Sequence, residues 1–433
     1  MSKTVCLYFQ VHQPWRLSPI SLLHPDKNPK DLFLGESPHT NQEVFEKVAR
    51  KSYLPMTDLL LKLCKQYKTF RCSFSLSGVF IQQCESFGLI GEEVLNNFKR
   101  LNQTGQVEFL AETYYHSLSF LYSKLEFCEQ IQMHEKAMKK HFGVKPNVFR
   151  HTELIYNNDL ASAIQLLGYN GIITEGWHTA IEGDTPNYIH KAHLKDISKT
   201  DARIYKKFRR KHSFIKSLYQ KKDLPVLAKN YELSDDMAFR FGDKNWDHHP
   251  LHSETYAQWI EESPGDTVNL FMDFETFGEH QWEDTGIFKF FEALPGELWK
   301  RKIRFLTPSE TIDAYDMYGT YETETWVSWA DEARDISAWL DNDLQKSAYK
   351  KLLKLEEILH PLRRSKKKEA QNIWENFRKL QTSDHLYYMS TKYWADGDVH
   401  TYFSPYESPY DAYINFMNAV DQMAQRIKKF QSQ

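Results

Sequence analysis

The stretch "FMDFETFGEHQW", Phe271–Trp282, changes character halfway along. Its first half continues an apolar run, Val268, Leu270, Phe271 and Met272, that follows the turn-forming "SPGD". A run of that kind suits a strand buried on both faces of a parallel sheet. Asp273 and Glu275 stand at its C-terminal end, two positions apart, and Glu279, His280 and Trp282 follow. Alternation along a strand would point Asp273 and Glu275 to one face. Carboxylates at the end of a buried strand are costly unless something compensates them, so this end predicts a site where charge is used.

Upstream, short apolar runs alternate with helical patterns. Strands are expected at "TVCLYFQV" (Thr4–Val11), near Arg71–Leu76 after the helical "YLPMTDLLLKLCKQY", and at Val107–Glu112. Further strands are expected at "NVFRHTE", "NGIITEG", "LPVLAKN" and "TVNLFMDFE", with an eighth candidate at Ile303–Thr307. Strands separated by helices of ten or more residues predict βαβ units and a parallel sheet. Seven or eight such units predict an α/β fold closed, or nearly closed, into a TIM-like barrel. Beyond about Glu310 the spacing becomes helical, through "DISAWLDNDLQKSAYKKLLKLEEILHPL" and "KKKEAQNIWENFRKLQTSDHLYYM". The last such stretch, "SPYDAYINFMNAVDQMAQRIKKF", has Ser408 as a candidate N-cap and Pro409 at the first helical position. We therefore expect a barrel over residues 1–310 and an α-helical domain over 311–433.

The chain has 433 residues, 41% hydrophobic and 26% charged, an ordinary balance for a globular protein. A net charge of −3 gives no support to nucleic-acid binding. The basic stretch Arg203–Lys222 reads as a solvated helix on an insertion rather than a phosphate site. Five cysteines, an odd number with no CxxC pair, read as buried thiols of a reducing compartment. No leader is apparent at the N-terminus and no stretch approaches the roughly 20 apolar residues of a membrane span. These features predict a cytoplasmic protein with no membrane partner. Aromatic residues make up 15% of the chain; they serve either a large core or flat platforms for ligands.

In a parallel barrel the chemistry sits at the C-terminal ends of the strands. The first strand ends in Gln10, His12, Gln13 and Trp15, the third in Glu112, Tyr114, Tyr115 and His116. The fourth ends in Arg150, His151 and Glu153, the fifth in Glu175, Trp177 and His178, the seventh in Asp273, Glu275, Glu279, His280 and Trp282. Carboxylates with histidines and indoles suit sugar chemistry. Glycoside cleavage uses two carboxyls, one protonated and one ionised, and crowding several acids raises the pKa of at least one. Aromatic rings supply the apolar floor for a pyranose. Asp235 and Asp236, with His248 and His252 in HxxxH spacing, read as parts of a solvated loop between the sixth and seventh strands.

Several segments resemble the signature regions of glycoside hydrolase family 57, the retaining α-glucan enzymes. They are "HQP" (His12–Pro14), "GQVEFLAETYYHSL" (Gly105–Leu118), "FRHTELIYNN" (Phe149–Asn158), "MDFETFGEHQW" and "TSDHLYYMS" (Thr382–Ser390). The wording is most similar to the α-amylase branch, and the resemblance covers most of the chain. It implies an incomplete (β/α)7 barrel followed by a helical bundle. It also implies Glu153 as nucleophile and Asp273 as general acid/base, with the fifth segment beside the active site. His151 departs from the family pattern, which has Asn there. The expected substrate is an α-glucan or maltooligosaccharide, bound by His12, Gln13, Trp15, Glu112, His116, His151, Trp177, Glu275, Trp282, Asp384, His385 and Trp394. No cofactor and no metal are implied. Three other readings stay open: glycosyl transfer or branching on the same scaffold, a metal-dependent deacetylase or zinc α-mannosidase built on His12, His116 and Asp273, and a non-catalytic glucan-binding protein. Oligomeric state is not legible.

Overall fold

The computed structural model describes residues 3–22, 28, 29, 31–36, 39–182, 185–210, 223–392 and 404–432. Its strands are β1 (Thr4–Val11), β2 (Cys72–Leu76), β3 (Val107–Phe109), β4 (Val148–Arg150), β5 (Gly171–Thr174), β6 (Ile189–Ala192), β7 (Pro225–Ala228), β8 (Thr267–Asp273), β9 (Arg304–Phe305) and β10 (Met317–Tyr321). One sheet runs β3-β2-β1-β8, with β9 paired to the start of β1, and the other runs β10-β6-β7-β5-β4. Every pairing is parallel except β6 with β7.

The sheets touch in two places, β3 against β4 and β8 against the end of β7. Ala111, just past β3, bridges in parallel to Phe149 of β4. From the edge strand β8, the Asn269 carbonyl accepts from the Asn230 N–H at 2.8 Å, and the Asn269 side chain donates to the Ala228 carbonyl at 2.8 Å. Alternation along β1 shows what the strands enclose. Val5, Leu7, Phe9 and Val11 pack against the helices in a large outer core with Phe45, Met56, Leu60 and Phe291. Cys6 and Tyr8 turn the other way, into an inner cluster with Leu110, Val148, Ile173, Leu227 and Phe271 from both sheets. The register sets Gln10 opposite Asp273, so the polar strand ends gather at one end of the sheets.

All seven principal strands expected from the apolar runs are present, and the eighth candidate is the short β9. β6 ("IHKA") and β10 ("MYGTY") were not legible. β6 carries the polar His190 and Lys191 and β10 contains Gly319, so both lie outside the apolar pattern that marks a buried strand. All five cysteines are free and buried. Among the described residues, no helix is long and apolar enough to cross a membrane. The basic stretch begins as the helix Lys199–Phe208; its residues 211–222 lie outside the described residues.

In the C-terminal region the helices Asp343–Leu359, Lys368–Leu380 and Pro409–Gln431 build a core that also takes in Trp15, Leu17, Phe33 and Tyr115 of the strand-bearing half. Ser408 caps the last of these by accepting from the Asp411 N–H, with Pro409 at the first position. This region is fastened to the helix Lys124–Phe142. Its Glu126, fully buried, receives Arg363 at 2.7 Å and Arg378 at 2.6 Å. Next to the strand ends, Ser117 forms an antiparallel bridge with Thr382, and the Ser383 N–H donates to the His116 carbonyl at 3.0 Å.

Candidate active site

A cavity of about 530 Å³ opens at the C-terminal ends of the strands. His12, Gln13, His116, Glu153, Asp273 and Glu275 line it from the loops after β1, β3, β4 and β8. Asp384, Tyr387 and Tyr388 line it from the helical region, and Lys229, Asp235, Trp329 and Arg334 complete the wall.

Glu153 follows β4 on a left-handed backbone, φ 57° and ψ 26°, with Leu154 at φ 51°. His116 is left-handed as well, at φ 48°. Such conformations cost non-glycine residues about 1–3 kcal/mol each and persist where surrounding bonds over-determine them. Here the bonds are visible. Glu153 Oε1 accepts from His116 Nε2 at 3.2 Å and from the Ser383 hydroxyl at 3.2 Å, while Oε2 accepts from Trp329 Nε1 at 2.7 Å. The Trp329 backbone N–H donates to the Glu153 carbonyl at 3.2 Å.

The other ring nitrogen of His116, Nδ1, lies 3.0 Å from Oε2 of Glu112, which is fully buried. With a carboxylate at each nitrogen, the ring is doubly protonated. Burial opposes that charge, but the bonds to Glu112 and Glu153 outweigh it and push the His116 pKa up to about 9. Burial likewise opposes ionisation of Glu112, yet His116 and Arg150 bring it down to about 2. Glu153 is held below its ordinary value in the same way, with burial overcome by the His116 hydrogen bond and charge and by Arg150. The arrangement keeps Glu153 ionised.

Asp273 is in the opposite condition. Burial, and then the Glu153 charge, raise its pKa to about 7. Among the described residues no hydrogen bond holds its carboxyl, so it is free to meet a ligand. Glu275 accepts from the Tyr53 hydroxyl at 2.6 Å and from the His12 N–H at 3.4 Å. Burial, followed by the charge of Asp273, raises it to about 8. Two carboxyls in one cavity with pKa values pushed apart form an acid and an anion at neutral pH.

His12 stacks on His116 with ring centroids 3.9 Å apart. Its Nδ1 lies 2.8 Å from the Ser77 hydroxyl and its Nε2 lies 2.9 Å from Asp384 Oδ2. The Asp384 carboxylate can only accept, so Nε2 carries the proton and donates to it; in the neutral ring Nδ1 then accepts from the Ser77 hydroxyl. Burial and the adjacent His116 charge lower the His12 pKa and keep the ring neutral. Asp384 is held well below the usual carboxylate range despite its burial, through the contact with His12. With these nitrogens committed, neither histidine offers a lone pair to zinc. Among the described residues no group of three His, Cys, Asp or Glu side chains could hold a metal ion.

The remaining wall is a ring of ion pairs. Arg334 reaches Glu175 at 2.9 Å and Asp235 at 3.1 Å, and Lys229 reaches Asp235 at 2.9 Å. Arg150 and Lys229 lie over the Trp329 ring at 5.2 and 5.6 Å. Asp235, expected on a solvated loop, ends the short helix Tyr231–Asp235 and belongs to this wall, because the chain turns straight back over the end of β7.

Several expected ligand-binding residues lie elsewhere. Trp15 is buried in the core of the helical region, with its N–H on Gln82. Glu112 lies behind His116, one layer from the cavity. His151 turns away among Phe120, Phe127 and Phe149, which leaves it neutral, burial bringing its pKa down to about 3. Trp177 packs beside His178 against the core around β5. Trp282 is 55% exposed in a separate groove with Lys51 over its ring. His385 is buried against Phe33 and Phe416. Trp394 lies outside the described residues. Conversely, Trp329, Arg334 and Lys229 escaped the sequence reading. The signal for the first two was "WADEAR", a tryptophan among acids and an arginine without helical spacing.

The sequence matches the model of glycosyl hydrolase family 57 over residues 6–325. It is 39% identical over 432 residues to a Methanocaldococcus jannaschii protein named "Putative alpha-amylase", covering 97% of this chain and 84% of that one. The structure is similar to that of a GH57-type branching enzyme from Pyrococcus horikoshii, with a TM-score of 0.65 at 14% identity over 100% of this chain and 96% of that chain. It is also similar to a 4-α-glucanotransferase from Thermococcus litoralis, with a TM-score of 0.60 at 15% identity over 89% of this chain and 56% of that chain. At such identities the structural likeness shows a common fold. The sequence match spans most of the strand-bearing region and includes the segments that carry Glu153 and Asp273: the chain belongs to glycosyl hydrolase family 57.

Proposed function

We propose that this protein cleaves α-1,4-glucosidic bonds in α-glucans with retention of configuration. Glu153, ionised, attacks the anomeric carbon while Asp273, protonated, gives its proton to the departing oxygen. Asp273, now a base, takes a proton from water, and the glycosyl–Glu153 ester is hydrolysed. The observation that carries this reading is the opposite condition of the two carboxyls in one cavity: Glu153 held low by His116, Asp273 raised to about 7 by burial and by the Glu153 charge. His12, Gln13, Glu275 and Asp384 would bind sugar hydroxyls. We read β1–β5, β7 and β8 as an incomplete (β/α)7 barrel within residues 1–310, and residues 311–433 as the helical domain, with β10 reaching back to β6. Five free buried thiols fit a reducing cytoplasm.

Attack on the intermediate by a sugar hydroxyl instead of water gives transfer, the activity named for the similar glucanotransferase and branching enzyme. Incubation with one defined maltooligosaccharide, followed by separation of products, decides between them. Shorter products alone indicate hydrolysis; products longer than the substrate indicate transfer. Glu153→Gln and Asp273→Asn are each expected to reduce turnover by about 10²–10⁴-fold or more with circular dichroism unchanged. A small nucleophile added to Glu153→Gly should restore turnover with inverted product. Near wild-type turnover in either first variant would remove that residue from its role.

A further inference from the structure

A pyranose ring needs an apolar face to lie on. Of the tryptophans expected to provide it, Trp15, Trp177 and Trp282 do not line the cavity. Among the aromatic residues that do, Phe271 and Tyr388 are buried, and Trp329 has cations over its ring and its N–H on Glu153. Tyr387 packs on Trp339, centroids 6.1 Å apart. Phe239 differs from all of these. It lines the cavity yet is 54% exposed, while its neighbours Met237 and Ala238 are buried. It belongs to none of the hydrophobic clusters of the described residues.

Its backbone is held in place. Phe239 sits on a single π-helical turn, Asp236–Arg240, directly after Asp235 of the cavity wall. Such turns recur at functional sites, because the altered register redirects side chains. The Gln281 amide donates to the carbonyls of Ala238 at 3.0 Å and Phe239 at 3.2 Å. Gln281 is itself buried, and a Cβ on Gly242, just past the turn, would lie 2.5 Å from its Oε1. An exposed phenyl ring on a pinned turn at the cavity rim is what stacking on a sugar requires.

We propose that Phe239 is the stacking platform of a glucan subsite at the mouth of the cavity, taking a glucosyl unit beyond the cleaved bond, and that Gln281 is its positioning residue. This rests on the α-glucan reading above. The test uses the full chain carrying Glu153→Gln, with binding of maltoheptaose and maltotriose followed by calorimetry. Adding Phe239→Ala should weaken maltoheptaose binding roughly tenfold, and Phe239→Trp should keep it within about twofold. Gln281→Ala should weaken binding on its own but add nothing once Phe239 is alanine, a coupling that a merely structural glutamine would not show. In the otherwise wild-type chain, Phe239→Ala should raise KM for maltoheptaose more than for maltotriose. If the Glu153→Gln parent binds maltoheptaose and Phe239→Ala binds it equally well, the platform is overturned while the α-glucan reading stands. If the parent binds neither sugar, the α-glucan reading falls, and the platform with it.

Discussion

His116 joins the buried Glu112 to Glu153 with a proton on each ring nitrogen, and the ionisation of Glu153 depends on that link. In Glu112→Gln the ring loses one of its two anions, so its pKa falls and less positive charge faces Glu153. The Glu153 pKa then rises, and the acid limb of the kcat/KM profile should move to higher pH with a lower plateau. An unmoved acid limb would mean that Glu112 only fills space. Asp273 sets the other limb: activity should decline as pH rises through about 7, where its proton is lost. The same shift governs stability. A carboxyl raised from its ordinary 3.8 to about 7 keeps in the native state a proton that the unfolded chain has released, so its contribution to stability is lost as pH rises through that window. Asp273→Asn has no such proton. Its Tm relative to wild type should therefore be higher at pH 8 than at pH 4, and an equal difference at both would contradict the buried acid.

Elements deliver these side chains by unequal means. The β1–β8 register fixes Asp273 beside Gln10. The segment Thr382–Tyr388 comes from the opposite end of the chain and is seated by the Ser117–Thr382 bridge and the Ser383–His116 bond. The helix Asp384–Tyr387 is preceded by Ser383, which makes no side-chain cap bond, and Asp384 directs its carboxylate to His12. Asp384→Ala should therefore lower kcat/KM at least tenfold with little loss of melting temperature. A cap would behave oppositely, losing about 0.5–2 kcal/mol of stability with turnover per folded molecule unchanged. Melting and turnover measured on one preparation separate the two.

At the scale of the molecule, the helical region brings Ser383 to Glu153 and Asp384 to the cavity, so activity should depend on how that region is attached. Glu126 takes two arginines, Arg363 and Arg378, while wholly buried against the strand-bearing half. Losing a partner that leaves a buried charge unpaired costs about 3–5 kcal/mol, but Glu129 also holds both arginines, at 3.1 and 2.8 Å, which reduces that cost. Glu126→Ala should therefore lower stability measurably, by less than that range, in urea unfolding and should reduce turnover as Ser383 and Asp384 lose their seat. A variant as stable as wild type would place the attachment in the apolar contacts instead.

The sequence by itself determined the principal strands, the helical tail, and the placing of Glu153, Asp273, His12, His116, Glu275 and Asp384 on the cavity. Apolar periodicity marks buried elements, and polar residues at the ends of buried strands have few places to go; Asp384 was legible only through the resemblance of its segment to a signature region of the family. Two short strands without that periodicity were not legible. Nor could side-chain direction beyond a strand end be read. Once the chain leaves the ladder, alternation no longer applies, so Trp15, His151 and Trp177 turned into cores, and Trp282 into another groove. Only the tertiary structure placed Trp329 on Glu153, 176 residues away in sequence, and tied Arg334 to Glu175 and Asp235. Contacts between distant segments are set by packing of whole elements, which no local pattern records. The same holds for the protonation of the site: the types of the acids are in the sequence, but burial and neighbouring charge decide that Glu153 is an anion and Asp273 an acid.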